Sequence, residues 1–231
     1  MNDSTRYDLY APIHKALRLF MTDTLQRLGR LDLGDARDMQ DSLEQLQALL
    51  EAAGLHVQHE NTFVHPVIER HHPGASASIA GDHQEHLEAI TGLRTELALL
   101  RAQPTPAQAH RLYRHLARFV ADNLEHMDIE ETRHNQLLWS SCDDAELTHI
   151  EAAIHATIDA QEMALWMRWL LPALSPAERA NLIRGMPHDA RTPTLHAARP
   201  LLGDAAWRKL CAALDQECAP ETAEAMPGTP R

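Results

Sequence analysis

Basic side chains are scarce in this chain: 21 Lys and Arg stand against 33 Asp and Glu, a formal charge of −12. No stretch gathers them into the basic face that phosphate binding needs, so neither nucleic acid nor an anionic membrane is an expected partner. Aromatics are equally sparse at 4%. Ala and Leu carry most of the apolar share instead, and their high helix propensity makes the chain read as all-α. The three cysteines, Cys142, Cys211 and Cys218, are odd in number and have no metal-ligand spacing, which fits a reduced, cytoplasmic setting. No apolar run spans a bilayer, since the longest, Met163 to Leu174, carries Arg168 and Pro172. Met1 to Asp8 is polar and has no apolar signal core. A serine elbow, a Gly-rich phosphate loop and a CxxC pair are all missing, which removes hydrolase and nucleotide-binding readings.

Histidine is what the chain has in excess, with 16 in 231 residues. Read with a period near 3.6, a first helix over roughly Leu9 to Gly29 puts Tyr10, His14, Leu17, Met21, Leu25 and Leu28 on one face. A second, starting near Asp35 to Asp41, carries Leu46, Leu49, Ala53, His56, Glu60, Phe63 and Val67. After the turn His72-Pro73-Gly74, a third presents Ile79, His83, His86, Ile90, Leu93, Leu97 and Leu100. Thr105-Pro106-Ala107-Gln108 has the form of a capping box and opens a fourth, with Leu112, Leu116, Phe119, Asn123, His126, Glu130 and Leu137 inward.

Residues 1–141 are therefore expected to form an up-down-up-down four-helix bundle. Residues 142–219 form a helical extension packed on it, and 220–231 a disordered tail. In the extension, Asp143 or Asp144 caps a helix through about Asp159, and Glu162 to Leu171 forms another. Ser175-Pro176-Ala177-Glu178 is a second capping box. Pro187, Pro193 and Pro200 then break the pattern before a last helix near Asp204 to Glu217. Met163, Trp166 and Trp169 read as contacts that hold the extension to the bundle.

Five histidines and two glutamates thus occupy positions where these helices would otherwise place leucines: His14, His56, Glu60, His83, His86, His126 and Glu130. Buried imidazoles and carboxylates are costly unless partners satisfy them, and a metal ion is the partner that takes both. His56/Glu60 and His126/Glu130 are i, i+4 pairs and His83/His86 an i, i+3 pair, so each pair shares a helix face. The chain path between these groups is long from His14 to His56, short to His83 and long again to His126, as one common height in such a bundle requires. Seven donors can hold two first-row ions with bridging carboxylates and a coordination position left open for a small molecule.

At these residues the chain resembles the hemerythrin-like (HHE) family of non-haem diiron proteins. The matching pieces are His14 in PIHKALRLFM, His56 and Glu60 in HVQHENTFVHPVIE, His83 and His86 in DHQEHLEAI, and His126 and Glu130 in LEHMDIEE. The resemblance covers about residues 8 to 140. It implies two non-haem iron ions, oxo- or hydroxo-bridged, in a four-helix bundle that binds or senses a diatomic ligand, O2 or NO. A redox enzyme consuming peroxide or NO at the same site is the alternative, as is an iron-handling or signalling adaptor that meets a protein partner through residues 143–231. Binding is the expected role ahead of catalysis. Two points stay open: whether His83 and His86 both coordinate, because the oxygen carriers of the family space this pair by four, and whether Glu130 or Glu131 bridges. Glu130 is favoured because it repeats the His56/Glu60 spacing.

The remaining histidines read as ordinary. His59 and His65 flank the second-helix pair off its central line, as outer partners or surface groups, with His59 an alternative to one of the ligands. His71, His72, His110, His115, His134, His149, His155, His188 and His196 read as solvated. The strings Glu131 to His134 and Glu146 to His149 are taken as helix-surface pairs.

Overall fold

The computed structural model describes residues 6–214, which hold nine helices and no strand. Helix α1 is Ala11–Gly29. Helix α2 runs as Ala36–His59, a π-helical turn Glu60–Val64 and a last segment His65–His71. Helix α3 is Ala77–Ala102. Helix α4 repeats the design of α2, with Pro106–Ile129, a π-helical turn Glu130–His134 and Asn135–Ser141. Each of these four packs on the next, and α4 returns to pack on α1. This closes the up-down-up-down bundle.

Local chemistry sets the helix ends. The Asp35 carboxylate accepts from the Arg37 and Asp38 amides at the start of α2, and Thr105 Oγ1 accepts from the Gln108 amide at the start of α4, where Pro106 loses no bond in the first turn. Between α2 and α3 the chain reverses at Gly74, whose φ of 83° favours glycine. The Glu69 carboxylate locks that reversal by accepting from the Gly74 and Ser76 amides.

Helices α5 (Asp144–His155) and α6 (Ala160–Ala173) complete a compact unit that ends at Ala173. Asp143 and Glu146 form a full capping box for α5, which packs on the π turn of α2. Helix α6 lies against α1 and α2, where Trp169 stacks on Phe20 at 4.0 Å between ring centroids. Trp166 and Trp169 are buried as expected, whereas Met163 is 36% exposed.

A second compact unit begins at Leu174 and contains α7 (Pro176–Gly185), α8 (His188–Ala198), the 3-10 turn Arg199–Leu201 and α9 (Asp204–Ala213). The capping box at Ser175 forms. The prolines interrupt less than the sequence suggests. Helix α8 continues through Pro193, which lacks the N–H that would bond the Asp189 carbonyl one turn back. The tail expected over 220–231 lies outside the described residues. Cys142 is free and buried, whereas Cys211 is disulfide-bonded.

The bundle core follows the 3.6 period with one systematic departure. On α3 every expected inward residue is buried. On α2 the stripe holds from Leu46 to Glu60 and then shifts by one residue, so Val64 and Ile68 are buried while Phe63 and Val67 are only half-buried. The same slip on α4 buries Leu138 in place of Leu137. Each π turn causes it. The His65 amide bonds the Glu60 carbonyl and the Asn135 amide bonds the Glu130 carbonyl, each five residues back, so one extra residue enters the turn and every later side chain changes face.

Candidate metal centre

The seven expected residues all come to one level of the bundle and are all buried. Their local supports differ. His14 sits one turn into α1. His56 and Glu60 straddle the entry to the first π turn, His126 and Glu130 the entry to the second, and His83 and His86 lie in the first turns of α3.

Six of the seven form two overlapping groups: His14, His56, Glu60 and Glu130 in one, and His83, His126, Glu60 and Glu130 in the other. Both carboxylates belong to both groups. In the first, His56 Nε2 is 3.1 Å from Glu60 Oε1, and His14 Nε2 is 3.6 Å from that oxygen and 3.4 Å from Glu130 Oε2. In the second, His126 Nε2 is 3.2 Å from Glu130 Oε1, His83 Nε2 is 3.3 Å from Glu60 Oε2, and the two imidazole Nε2 atoms are 3.0 Å apart. His86 joins neither group. Its ring stands edge-on to His126 at 4.7 Å, and its Nδ1 is buried without a partner.

Apart from the His83–His126 contact, these approaches are close yet are not hydrogen bonds. His14 Nε2, His56 Nε2 and all four oxygens of Glu60 and Glu130 are buried with no hydrogen-bond partner. Buried polar atoms are almost always satisfied in native proteins, so six such orphans facing one another ask for a common partner. First-row ions take imidazole nitrogen and carboxylate oxygen at about 2.0–2.2 Å, which puts neighbouring donors about 3 Å apart. The observed separations therefore fit metal ions held between them.

The outward nitrogens of three of these rings are held by groups that sequence reasoning did not assign. His14 Nδ1 donates to Glu131 Oε1 at 3.0 Å, and the Arg18 guanidinium donates to the same oxygen. Glu131 thus stands behind His14, while Glu130 occupies the centre. His83 Nδ1 is 2.8 Å from Asn61 Oδ1, and His126 Nδ1 lies 3.4 Å from the Asp82 carboxylate. Such contacts fix the ring orientation and aim Nε2 inward.

Electrostatics divide the histidines into two kinds. For His14 and His83 burial opposes charge, but the glutamates overcome it and raise both to about 9; at His14 these are Glu131, Glu60 and Glu130, at His83 Glu130 and Glu60. His56 and His86 go the other way, lowered to about 4 chiefly by burial. Burial also opposes ionisation of Glu60 and Glu130, yet the surrounding imidazoles hold Glu60 well below its usual range and Glu130 down to about 2. Two carboxylates balanced by two imidazolium protons are what the chain arranges without metal. Divalent cations would take the place of those protons.

Of the lesser histidines, His134, expected in solvent, is buried beside the groups, and so is His65, the outer partner or surface group of the sequence reading; one nitrogen of each lies within 4.8 Å of the other and of a Glu130 oxygen. His59 instead faces α6, 3.9 Å from the Glu162 carboxylate. Glu131 and Glu146, read as helix-surface partners of His134 and His149, serve His14 and the α5 capping box. A signal for the buried pair was present: His56, Glu60 and His65 on α2 and His126, Glu130 and His134 on α4 repeat one order of residue types. The repeat is inexact, because the second interval is five residues in one copy and four in the other.

No helix among the described residues is long and apolar enough to cross a membrane. The family model of the hemerythrin HHE cation binding domain matches residues 5–138. No curated protein and no solved structure matches the chain.

Proposed function

Because the chain belongs to the hemerythrin HHE cation-binding family, we propose that its bundle holds two iron ions and serves to bind or sense O2 or NO. The observation that carries this reading is the sharing of both Glu60 and Glu130 by two four-donor groups. Two separate mononuclear sites would not need common carboxylates. His14 and His56 would hold one ion and His83 and His126 the other, with His86 adjoining the second. Ferrous iron would supply the electron density that a diatomic ligand accepts on binding, and four to five protein donors per ion leave a position for it.

The chain's own residues provide the rest. Glu131, Asn61 and Asp82 orient the rings that face the ions. His14 and His83 would give up their Nε2 protons to bound ions, and Glu60 and Glu130, already ionised, would balance the charge. Apolar clusters close the layer on both sides, which limits the entry of water and the loss of iron.

Purified after iron supplementation, the protein should contain close to two irons per chain and show near-ultraviolet charge-transfer bands. The reduced protein, kept anaerobic, should then form a stable adduct with O2 or with NO. One metal per chain, or zinc in preference to iron, would overturn the reading. Sustained consumption of NO or peroxide with a reductant would turn it into that of a redox enzyme.

A further inference from the structure

Two buried imidazoles are left over once the central groups are assigned. His65 is 6% exposed and His134 2%, and they approach each other edge-on with ring centroids 5.6 Å apart. His65 also stacks on His83 at 4.9 Å with its plane tilted by only 4°, and its Nε2 is buried without a partner. The Tyr10 hydroxyl, itself buried, lies 3.4 Å from His134 Nδ1. On an uninterrupted α-helix, His65 would point about 140° away from Glu60, since each residue turns the helix by about 100°. The π turn brings it back to the glutamate's side.

Leaving a buried imidazole nitrogen unsatisfied is unfavourable, and a leucine would fill the same volume without that cost. The placement is therefore explained by a ligand and not by packing. The geometry points to a third cation position, formed by His65, His134 and Glu130, adjoining the central groups and sharing one of their carboxylates. It rests on the two-iron reading only through Glu130. Two imidazoles and one carboxylate suit a first-row divalent ion such as Zn2+ or Fe2+, with water completing its coordination. Glu130 already serves both central groups and no further carboxylate joins this one, so the third ion is less well neutralised and is bound more weakly than the central pair.

The test uses the iron-loaded full chain. Crystals soaked in Zn2+ and measured at the iron and zinc absorption edges should show a zinc peak between His65 and His134 while the iron peaks among the central groups remain. Zinc found only at the central positions, or nowhere, overturns the proposal. A zinc peak in place without the two iron peaks would instead sink the two-iron reading and leave the third position standing. In solution the iron-loaded protein should take up one Zn2+ beyond its iron. The double variant His65→Gln/His134→Gln should bind that zinc at least tenfold more weakly and keep its iron, and unchanged zinc uptake would count against the site. The wild-type maps decide the matter even if the variant folds poorly.

Discussion

On one side of the ligand layer, Leu28, Leu43, Leu46, Leu100, Leu112 and Leu116 fill the bundle, and α6 extends this apolar cluster with Trp166 and Trp169. On the other, a smaller cluster of Tyr10, Val64, Ile68, Leu138, Cys142, Leu147 and Ile150 is closed over by α5. The same helices thus run from a large dry region, through a charged layer, into a small dry cap. The difference teaches where stability and function reside. The larger cluster can hold the four helices together by apolar burial alone, about 25 cal/mol per Å2 removed from water. The layer cannot. It buries carboxylates and imidazoles whose net contribution is slight until something replaces their protons.

The largest expected effect comes from removing one of the two carboxylates that both ion groups share. Glu130→Ala should lose both irons, at least a hundredfold in affinity, whereas His86→Gln should keep close to two per chain. Metal analysis of the folded variants checks the pair, and equal loss in both would show that the layer does not divide as its distances indicate. In the dry region, Leu116→Ala should cost about 2–5 kcal/mol of unfolding free energy, the usual range for a truncated buried leucine. Iron per folded chain should stay unchanged. Denaturant unfolding followed by metal analysis separates the two readouts, and iron loss there would mean that the site depends on the packing beneath it.

Protons supply a subtler comparison. In the metal-free protein His14 and His83 sit at about 9, above the ordinary value of about 6.5 for histidine. A raised histidine contributes stability that is fully present below the unfolded value and is lost as pH climbs through the folded one. Metal-free protein should therefore lose stability between about pH 6.5 and pH 9, and the iron-loaded form should not. At pH 7, metal binding should release about two protons, measurable by calorimetry in buffers of different ionisation enthalpy. The smallest effect belongs to the cap. Ile150→Val should cost about 0.5–1.5 kcal/mol and leave metal and proton behaviour untouched. A drop in iron content there would show that the small cap, and not the large cluster, keeps iron in place.

Much of this was legible in the residue order. Leu and Ala at a period of 3.6, the acidic and Thr-Pro starts, and polar residues standing where leucines belong give four helices, their antiparallel order and seven inward donors. A helix repeats its direction regularly, and residues three and four apart need no tertiary information to be placed on one face. His83 and His86 could be placed in this way, because α3 stays α-helical throughout.

The π turns at Glu60–Val64 and Glu130–His134 were decided by the assembled bundle. Extrapolating an α period past either one puts Phe63, Val67 and Leu137 inside and His65 outside, each displaced by a single residue. A π turn has no strong local signature, and it forms where side chains from other helices favour the altered face. Which glutamate stands at the centre was likewise a tertiary matter. Glu130 and Glu131 are adjacent and chemically identical, and only the position of α1, which brings His14 and Arg18 against Glu131, gives them different roles. Residue order supplied the donors and the helix faces because both are local. The charge balance among those donors depends on distances between separate helices, and no periodicity contains them.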